Sequence, residues 1–496
     1  FADNPEKETV MIPTIRPKLE LLSETLIKKI IEEALIILEQ RGVFVENRQA
    51  LDLFCDSGMR VDSETHRVYI TPGLVEDSLD SAPETITLFD RTEEKAYIVG
   101  GDHVHFDPGS AAVHIFDPKT GRQRPAVSRD VQNFIRVTDA LENIHFQSTG
   151  LMSSDVPDKI ADSYRLFLAL QYSSKPVVTG TFRVEGFKPM FDMLCAVRGS
   201  AQALADKPLA IFDACPSPPL KWSNLTTQSL IDSARAGIPS ELISMGMTGA
   251  TSPVTIAGTL VQHCVENFCG VIITQLAAKG SPVIFGGSPS SFDMRKGTTP
   301  MGAIETMMID SGYAQIAKSL GLPTHAYMGL SDSKVNDNQA GFETGIGAVL
   351  AALSGINVIS GPGMMDFESC QCLEKLVIDH EICTMAYRLI EGISQREDPI
   401  ATSLFAGLGD EMDFLRTEHT RKWFKQEHTY PLLIDRDTYD TWDSLGAKNI
   451  ETRAAERVQE ILGTVHRPDI SLVKALRDIM TAAAEANGIT GLLFTE

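Results

Sequence analysis

The sequence predicts an α/β protein built around a (β/α)8 TIM barrel, with an N-terminal mixed α/β region and a C-terminal helical addition. That prediction rests on seven short apolar strands, on the helical patterns in the gaps between them and on the nearly even spacing of the strands. The strand starts lie 32, 32, 32, 41, 42 and 33 residues apart, which suits repeated βαβ units. Such regular repetition favours a barrel, while an open doubly wound sheet stays the alternative.

The seven strands share short runs of apolar and β-branched residues that end in glycine, proline or polar residues. They are IHFQSTGL (144–151), PVVTGTF (176–182), PLAIFDA (208–214), SELISMG (240–246), SPVIFGG (281–287), PTHAYMG (323–329) and INVISGP (356–362). The eighth strand is either AAVHIF (111–116) or a segment after residue 385. No GxGxxG or Walker A pattern follows any of these strands, which disfavours nucleotide binding.

The flanking segments differ from the barrel repeat. Ser23 is predicted to cap a helix that ends at Gly42, and DPKTGR (117–122) is typical of a hairpin turn. The polar, aromatic stretch after residue 396 leads into two helical patterns near the C-terminus. We therefore expect four parts: a tail (1–20), an N-terminal region of helices and small strands (21–125), the catalytic barrel (126–395) and a C-terminal extension (396–496).

Composition excludes several classes of partner. The 496 residues carry a formal net charge of −22, which disfavours nucleic acid and anionic membrane surfaces because both require clustered Lys and Arg. No uninterrupted apolar run reaches the roughly 18 residues of a membrane span, and the start lacks the pattern of a secretory signal. Eight cysteines in so long a chain do not form a disulfide framework, so we expect reduced thiols and a cytoplasmic protein.

The strand PTHAYMG and the polar residues behind it form the first candidate site. The pleat places His325 and Tyr327 on one face of the strand, and the more apolar set on the other. Because the outer face of a barrel strand packs against helices, His325 and Tyr327 are predicted to point into the barrel near its C-terminal end. The alternative is that both rings only fill a core layer.

A dense polar run follows that strand, at the end of the barrel where α/β enzymes place their chemistry. These side chains either bind a substrate or cation, or fix the loop by capping and ion pairing. The residues are Asp332, Lys334, Asp337, Gln339 and Glu343.

Other strand ends add further candidates. Asp213 ends one predicted strand, and Phe182 and Phe367 lie at or just beyond two others, as do Phe285 and Phe292. The aromatic rings are candidates for a cage around a substrate cation, with a plain core role as the alternative.

No metal site or protein nucleophile is expected. His103-x-His105 and Cys370-x-Cys372 resemble metal-ligand pairs, but neither has a third and fourth ligand at zinc spacing. The two cysteines diverge if they lie on one helix. No cysteine is paired with a base by the sequence, which also weakens a Cys–His mechanism.

Several segments together resemble the trimethylamine methyltransferase family, the corrinoid-dependent methylamine methyltransferases, and in particular members without pyrrolysine. The resemblance covers nearly the whole chain and has its most specific part after the PTHAYMG strand. The matching segments are LSETLIKKIIEEALIILEQRGV, SGMRVD, APETITLFDR, PTHAYMGLSDSKVNDNQAGFE, INVISGPGMMDF, LEKLVIDHEI and FLRTEHTRKWF.

The resemblance implies a TIM barrel that transfers a methyl group from an amine to the Co(I) corrinoid of a separate corrinoid protein, with no tightly bound cofactor in this chain. The sequence contains only standard residues, and a quaternary amine needs no further activation because it departs as a neutral tertiary amine. We therefore expect direct displacement from a quaternary amine, with glycine betaine first and carnitine, proline betaine and choline as rivals. A homo-oligomer is also expected.

The resemblance suggests roles for the candidate residues. His325 and Lys334 would face a betaine carboxylate, while Tyr327 and Phe367 would face the trimethylammonium group. Two other functions stay open. A Schiff-base lyase or aldolase would use Lys334, and a non-catalytic protein would bind the quaternary amine without turnover.

Overall fold

The computed structural model describes residues 12–109, 111–407, 413–465 and 469–489. Its centre is a sheet of eight parallel strands, which we number β1 to β8 in chain order. They are β1 (His105–Asp107), β2 (Gln147–Ser148), β3 (Val177–Thr179), β4 (Ala210–Ala214), β5 (Ser240–Leu242), β6 (Val283–Gly287), β7 (Thr324–Tyr327) and β8 (Val358–Ser360).

The sheet closes between β1 and β2. The Phe146 N–H, next to β2, donates to the Phe106 carbonyl oxygen on β1 at 3.2 Å. All seven strands predicted from the sequence contribute to this barrel, and the predicted fold class is confirmed. The open doubly wound sheet is therefore excluded.

Neither predicted position for the remaining strand is correct. Residues 114–117 form a hairpin with 122–125 on a separate small sheet, as the DPKTGR turn predicted. The barrel instead uses His105–Asp107, which pairs with β8. This strand has three residues and ends in an acid, so it shows no apolar run. This strand also lies before residue 126, where the barrel was predicted to begin. The four-part division of the chain stays a prediction.

Helices surround the barrel and extend it at both ends. Ser23 caps the first of them as predicted, since its Oγ accepts from the Leu26 N–H. The α-helices are Glu24–Gln40, Arg48–Asp56, Pro72–Ser81, Ser128–Ala140, Ala161–Tyr172, Phe187–Arg198, Ala201–Asp206, Asn224–Ala236, Ile256–Ala277, Ile304–Ser319, Asn338–Ser354, Leu373–Ile390, Thr402–Ala406, Glu418–Glu427, Tyr439–Ser444, Ile450–Gly463 and Ile470–Ala486, with 3-10 turns at Asp158–Ile160 and Val184–Gly186.

Three small sheets and a hairpin complete the strand set. One sheet, in the order Lys221–Trp222, Val43–Val45, Arg67–Tyr69 and Arg60–Asp62, joins the N-terminal region to the barrel. A second sheet contains Met364–Met365, Cys370–Gln371, His114–Asp117 and Arg122–Pro125. The third pairs Met247–Thr248 with Ser290–Ser291, and the hairpin pairs Thr85–Phe89 with Ala96–Gly100.

That hairpin contributes to a distinct apolar cluster at the start of the barrel strands. Ile86, Leu88 and Val99 of the hairpin belong to one buried cluster with Phe146, Val178, Ile211, Ile284 and Val358. The barrel members precede the C-terminal ends of their strands, so the cluster lies toward the N-terminal end of the barrel. Polar inward side chains such as Asp213 and Ser360 lie toward the opposite end, which we call the mouth.

One helix, Ile256–Ala277, is long and apolar enough to cross a membrane by length and composition alone. Its most apolar window is 78% buried inside the protein, and the helix packs against Glu24–Gln40, Pro72–Ser81 and Asn224–Ala236. Buried polar residues such as His263, Glu266 and Asn267 interrupt its sequence, which is why no continuous apolar run is visible there.

A buried ion pair links helix Leu373–Ile390 to its surroundings and generates a stability prediction. Lys375 Nζ lies 2.5 Å from Asp379 Oδ2, with both side chains 1% exposed. Lys375 also donates to Thr344 Oγ1 at 2.8 Å, and Asp379 accepts from the Gly363 N–H at 2.7 Å. Lys375→Met should lower the free energy of unfolding by about 3–5 kcal/mol, because it leaves a buried carboxylate without its cation. Urea unfolding measures the change.

The matched control is Lys188→Met, which breaks an exposed pair with Asp192 (side chains 74% and 37% exposed) and should cost no more than about 0.5 kcal/mol. Equal losses in the two variants would contradict the role assigned to the buried pair.

Candidate functional site at the barrel mouth

The barrel interior carries a polar layer directly above the apolar cluster. Parallel pairing keeps side chains of the same face in register, so each residue two positions after an inward apolar residue also points inward. Asp213 follows Ile211 in this way, and Ser360 follows Val358. The register then places Glu241 beside Asp213, and Tyr327 and Asp107 beside Ser360.

His325 also faces the interior, as predicted from the pleat of its strand. It pairs in register with Val358 on β8 and with Gly286 on β6. A Cβ at Gly286 would lie only 2.9 Å from His325 Cβ and 3.0 Å from its Nδ1. The glycine on β6 therefore makes room for the imidazole of β7.

A hydrogen-bonded chain crosses from β7 to β1. His325 Nε2 lies 3.0 Å from Ser360 Oγ, and Ser360 Oγ donates to Asp107 Oδ2 at 2.6 Å. The other oxygen of Asp107 accepts from the Gly109 N–H at 2.8 Å. Because Ser360 donates to Asp107, it accepts from His325 Nε2–H, and this arrangement fixes the neutral tautomer of the ring.

Burial controls the protonation of this chain. It lowers the pKa of His325 to about 3, so the imidazole is neutral at physiological pH. It raises the pKa of Asp107 to about 7, against the opposing hydrogen bonds from Ser360 and Gly109. His325 Nδ1 is buried without a hydrogen-bond partner in the described structure and faces Gly286 on β6.

Asp213 and Glu241 form a carboxyl pair, in register on the adjacent strands β4 and β5, and both Glu241 oxygens are buried without a hydrogen-bond donor in the described structure. Burial, followed by the charge of the neighbouring Asp213, raises the pKa of Glu241 well above its ordinary value. Glu241 Oε1 also lies 3.6 Å from His325 Nε2. Glu241 is fully buried while Asp213 is partly exposed, so Asp213 is the member of the pair that faces the mouth.

Arg165 supplies a buried positive charge at the mouth. It comes from helix Ala161–Tyr172, is 2% exposed and donates from Nη1 to the Thr149 carbonyl oxygen at 2.6 Å. Its guanidinium lies over the Phe182 ring at 4.4 Å. Burial lowers the pKa of Arg165 to about 10, against the opposing charges of Asp162 and Asp213, so it stays a cation. Its Nε has no hydrogen-bond partner in the described structure.

The polar loop after β7 is braced internally. Asp332 accepts the Met301 and Gly302 N–H groups at 2.9 Å each, and burial raises its pKa to about 6. Glu343 Oε2 accepts from Ser331 Oγ and the Asp332 N–H, while its Oε1 accepts from Gln339. Three of the five polar residues predicted in this loop therefore fix its shape.

Asp337 and Lys334 have equally local partners. Asp337 caps helix Asn338–Ser354 by accepting from the Ala340 N–H at 3.2 Å. Lys334 Nζ lies 3.7 Å from the centre of the Phe367 ring and 3.4 Å from Asp366 Oδ1. The face of Phe367 that was expected to receive a substrate cation thus carries the protein's own lysine.

Three consecutive residues after β8 adopt left-handed backbone conformations. Asp366, Phe367 and Glu368 have φ values of 51°, 54° and 67°, a region that costs non-glycine residues roughly 1–2 kcal/mol each. Contacts from neighbouring loops hold the turn, because Lys334 binds Asp366 and Ser288 Oγ donates to Glu368 at 3.3 Å. Such strain is typical of functional loops.

An open cleft of about 710 Å³ lies beside this turn, among the loops that follow β5 to β8. Its lining includes Phe292, Asp332, Lys334, Gln339, Glu343 and Phe367. His325, Tyr327, Asp213 and Phe182 are not part of that lining; they belong to the barrel interior and its rim. The structure thus divides the predicted site residues between an inner polar layer and this outer cleft. Phe285 joins neither, because it packs outward against His263 and Phe268.

The metal-like pairs have other partners. His105 Nδ1 contacts His145 Nδ1 at 2.9 Å, and Cys372 caps helix Leu373–Ile390 while Cys370 lies on a strand. No group of three or more His, Cys, Asp or Glu side chains suited to a metal occurs within the residues described. All eight cysteines are free thiols.

Four residues of the inner layer were not predicted: Asp107, Glu241, Ser360 and Arg165. The first three obey the same alternation that placed His325 inward, and Glu241 is the one charged residue of its segment SELISMG. That signal was available in the sequence for Glu241 and Ser360, but not for Asp107, whose strand was not predicted. Arg165 had none, because it lies on a helix whose residues are all buried.

The protonation of Asp107 predicts a pH dependence. Its folded pKa of about 7 exceeds the ordinary value of 3.8, so between these values the folded protein keeps a proton that the unfolded chain has lost. Its contribution to stability is therefore complete below about pH 4 and is lost as the pH rises toward 7, at up to about 1.4 kcal/mol per pH unit. Asp107→Asn should remove this part of the slope in urea unfolding between pH 4.5 and 7.5.

Comparing variant with wild type at each pH cancels the contributions of the buried histidines, whose lowered pKa values act in the opposite direction. Parallel stability curves for the two proteins would contradict the prediction.

Comparison with known proteins gives consistent matches. A family model described as trimethylamine methyltransferase (MTTB) matches residues 2–485. A trimethylamine methyltransferase MttB of Desulfitobacterium hafniense (strain DSM 10664 / DCB-2) is 34% identical over 426 residues, 86% of each chain. A glycine betaine methyltransferase of Desulfitobacterium hafniense (strain Y51) is 32% identical over 457 residues, 91% of this chain and 94% of that protein. The crystal structure of the Methanosarcina barkeri monomethylamine methyltransferase (MtmB) shares 13% identity and covers 95% of both chains, with a TM-score of 0.45.

Proposed function

Since the chain belongs to the trimethylamine methyltransferase family and is therefore a corrinoid-dependent methyltransferase, we propose that its methyl donor is a quaternary amine, with glycine betaine as the best candidate. The methyl acceptor is the Co(I) corrinoid of a separate protein, and it acts as a second substrate. A cytoplasmic location and a homo-oligomeric state remain predictions.

The observation that carries this proposal is the pairing of opposite charges at the barrel mouth. Arg165 offers a buried cation with an unpartnered N–H, and the Asp213–Glu241 pair offers a buried acid. Glycine betaine has the complementary charges, a carboxylate and a trimethylammonium group, a short distance apart. Choline and trimethylamine lack the carboxylate and would leave the Nε of Arg165 without a partner.

The structure revises which residues suit the carboxylate. His325 is neutral at physiological pH, so it can offer no positive charge. Lys334 Nζ already contacts Asp366 and the Phe367 ring. Arg165 is buried, stays charged and has a free donor, and charge-assisted hydrogen bonds from a guanidinium suit a carboxylate. Tyr327, inside the barrel and 5.1 Å from the His325 ring, remains the aromatic candidate for the trimethylammonium group.

For direct displacement, the main task of the protein is to orient the methyl donor toward the acceptor. One methyl carbon must face the acceptor in line with the breaking C–N bond, and holding that geometry removes much of the entropic barrier. Anchoring the carboxylate at Arg165 orients the donor. A carboxyl pair that shares a proton carries less negative charge than two carboxylates, so it avoids over-stabilising a positive charge that disappears in the transition state.

The outer cleft fits an approach path for the acceptor. It is open and combines apolar side chains such as Phe292 and Met294 with polar ones such as Gln339 and Arg295. A corrinoid ring carries apolar faces and peripheral amide groups, so this donor and acceptor set is chemically suitable. Bound there, the corrinoid would supply the nucleophile.

A substrate panel tests the proposed reaction. With free Co(I) cobalamin as the acceptor, we expect methylcobalamin formation, followed by absorbance, from glycine betaine in preference to carnitine, proline betaine and choline. Trimethylamine should give no product. Turnover of trimethylamine without turnover of any quaternary amine would overturn the proposed donor class, and saturable betaine binding without turnover would favour a binding protein.

The carboxylate subsite has its own test. Arg165→Met keeps much of the apolar stem over Phe182 but removes the charge, so the KM for glycine betaine should rise roughly 10- to 150-fold, the value of one charge-assisted hydrogen bond. Choline, which has no carboxylate, should be much less affected. Lys334→Met is the matched control in the outer cleft. A large loss with Lys334→Met and none with Arg165→Met would move the carboxylate to the cleft.

A further inference from the structure

We propose that the Asp213–Glu241 pair stores a proton and passes it to the tertiary amine left behind by methyl transfer. This role rests on the proposed function and concerns the step that follows it. Asp213 is the proton donor to the product, and Glu241 is the partner that shares and holds the proton.

The chemistry creates a need for such a donor. A quaternary nitrogen has neither an N–H nor a lone pair. When its C–N bond breaks, the methyl group goes to the acceptor and both bonding electrons stay on nitrogen. The product is a basic tertiary amine whose lone pair can take the methyl group back. Protonation fills that lone pair: an O–H bond of the pair breaks, an N–H bond forms, and the carboxyl pair is left with one more negative charge. Solvent restores its proton after the product leaves.

Geometry supports the storage of one proton. Two neighbouring carboxyl groups in a buried site share a proton, because two adjacent negative charges repel strongly there. Asp213 and Glu241 are such neighbours, and both Glu241 oxygens are buried without a hydrogen-bond donor in the described structure. Their strands are adjacent and their residues are in register. Asp213 is partly exposed toward the mouth, beside the buried Arg165 whose charge it feels. A donor anchored at Arg165 therefore places its nitrogen near Asp213.

The groups around Glu241 keep the pair protonated before the reaction. From β7, His325 Nε2 lies 3.6 Å away and is neutral. From β1, Asp107 adds a like-charge interaction. Cys215 and Tyr313 interact with Glu241 electrostatically, and burial raises the pKa of both groups, so both are neutral. Apart from the more distant Arg165, the groups around Glu241 favour its protonated form.

Gly180 leaves space on the side of the pair that faces the mouth. A Cβ at this position, just after β3, would lie 3.3 Å from Asp213 Cβ. The small residue leaves space beside the donor carboxyl. The Asp107–Ser360–His325 chain reaches the opposite side of the pair, where it fixes the orientation of the neutral imidazole next to Glu241.

A sulfur analogue of the donor separates this role from a purely structural one. Dimethylsulfonioacetate has the charges and nearly the shape of glycine betaine, but its product is a thioether, which does not take up a proton. With free Co(I) cobalamin as the acceptor, Glu241→Gln should lower the ratio of the glycine betaine rate to the sulfonium rate by at least roughly tenfold, since positioned acid catalysts typically contribute more than that.

The matched control is Glu266→Gln. Glu266 is a buried glutamate outside the barrel interior, bonded to Ser244 and Gln262, so its variant should leave the ratio at the wild-type value. Equal losses on both donors in Glu241→Gln, or no loss on either, would overturn the proton-storage role.

A measurement on the wild-type protein keeps the proposal testable if the variants fold poorly. Across the pH range in which the protein stays folded and active, the rate ratio of glycine betaine to dimethylsulfonioacetate should fall with rising pH as the pair loses its stored proton. A ratio that stays constant over this range would overturn the proposal while leaving the methyltransferase function intact. Failure of the wild type to use either donor would instead overturn the proposed function, and the proton-storage role with it.

Discussion

The cost of burying polar groups in a barrel closed at its N-terminal end governs this structure. The hairpin Thr85–Phe89 with Ala96–Gly100 packs with inward apolar residues toward the N-terminal end of the barrel, so no polar side chain can find water there. Each buried polar group in the upper layer must then be neutral, or paired with its neighbours, because an isolated buried charge is costly. That constraint explains why burial lowers the pKa of His325 and raises the pKa of Asp107 and Glu241.

The same constraint links the inner layer to the chemistry of a charged donor. An interior in which neighbouring acids share a proton and the imidazole is neutral receives a cation without binding it too tightly. Arg165 breaks the pattern because it stays charged, and its unpartnered Nε marks the place where an anionic group would complete the network. The outer cleft differs from the inner layer. Its polar residues bond mainly to one another and fix the loop that borders the proposed approach path of the acceptor.

Much of the fold followed from local patterns. Strand–helix spacing located seven barrel strands, Ser23 marked the first helix, and the pleat of PTHAYMG placed His325 and Tyr327 inward. The eighth strand could not be found this way, because His105–Asp107 is short, polar at its end and defined only by pairing with β8. Composition predicted the polar loop after β7 but not its partners: Asp332 bonds to residues 301 and 302, which are distant in sequence. Arg165 depends on tertiary packing alone, since nothing about a helical arginine indicates that its head reaches the barrel mouth.

The most direct test of this account is a crystal structure of the protein with glycine betaine bound. We predict that the ligand carboxylate lies within hydrogen-bonding distance of Arg165, that its trimethylammonium group lies between Tyr327 and Asp213, and that one methyl group points out of the barrel. Betaine bound in the outer cleft against Lys334 and Phe367, with Arg165 left unpartnered, would contradict the central claim that the barrel interior is the donor site.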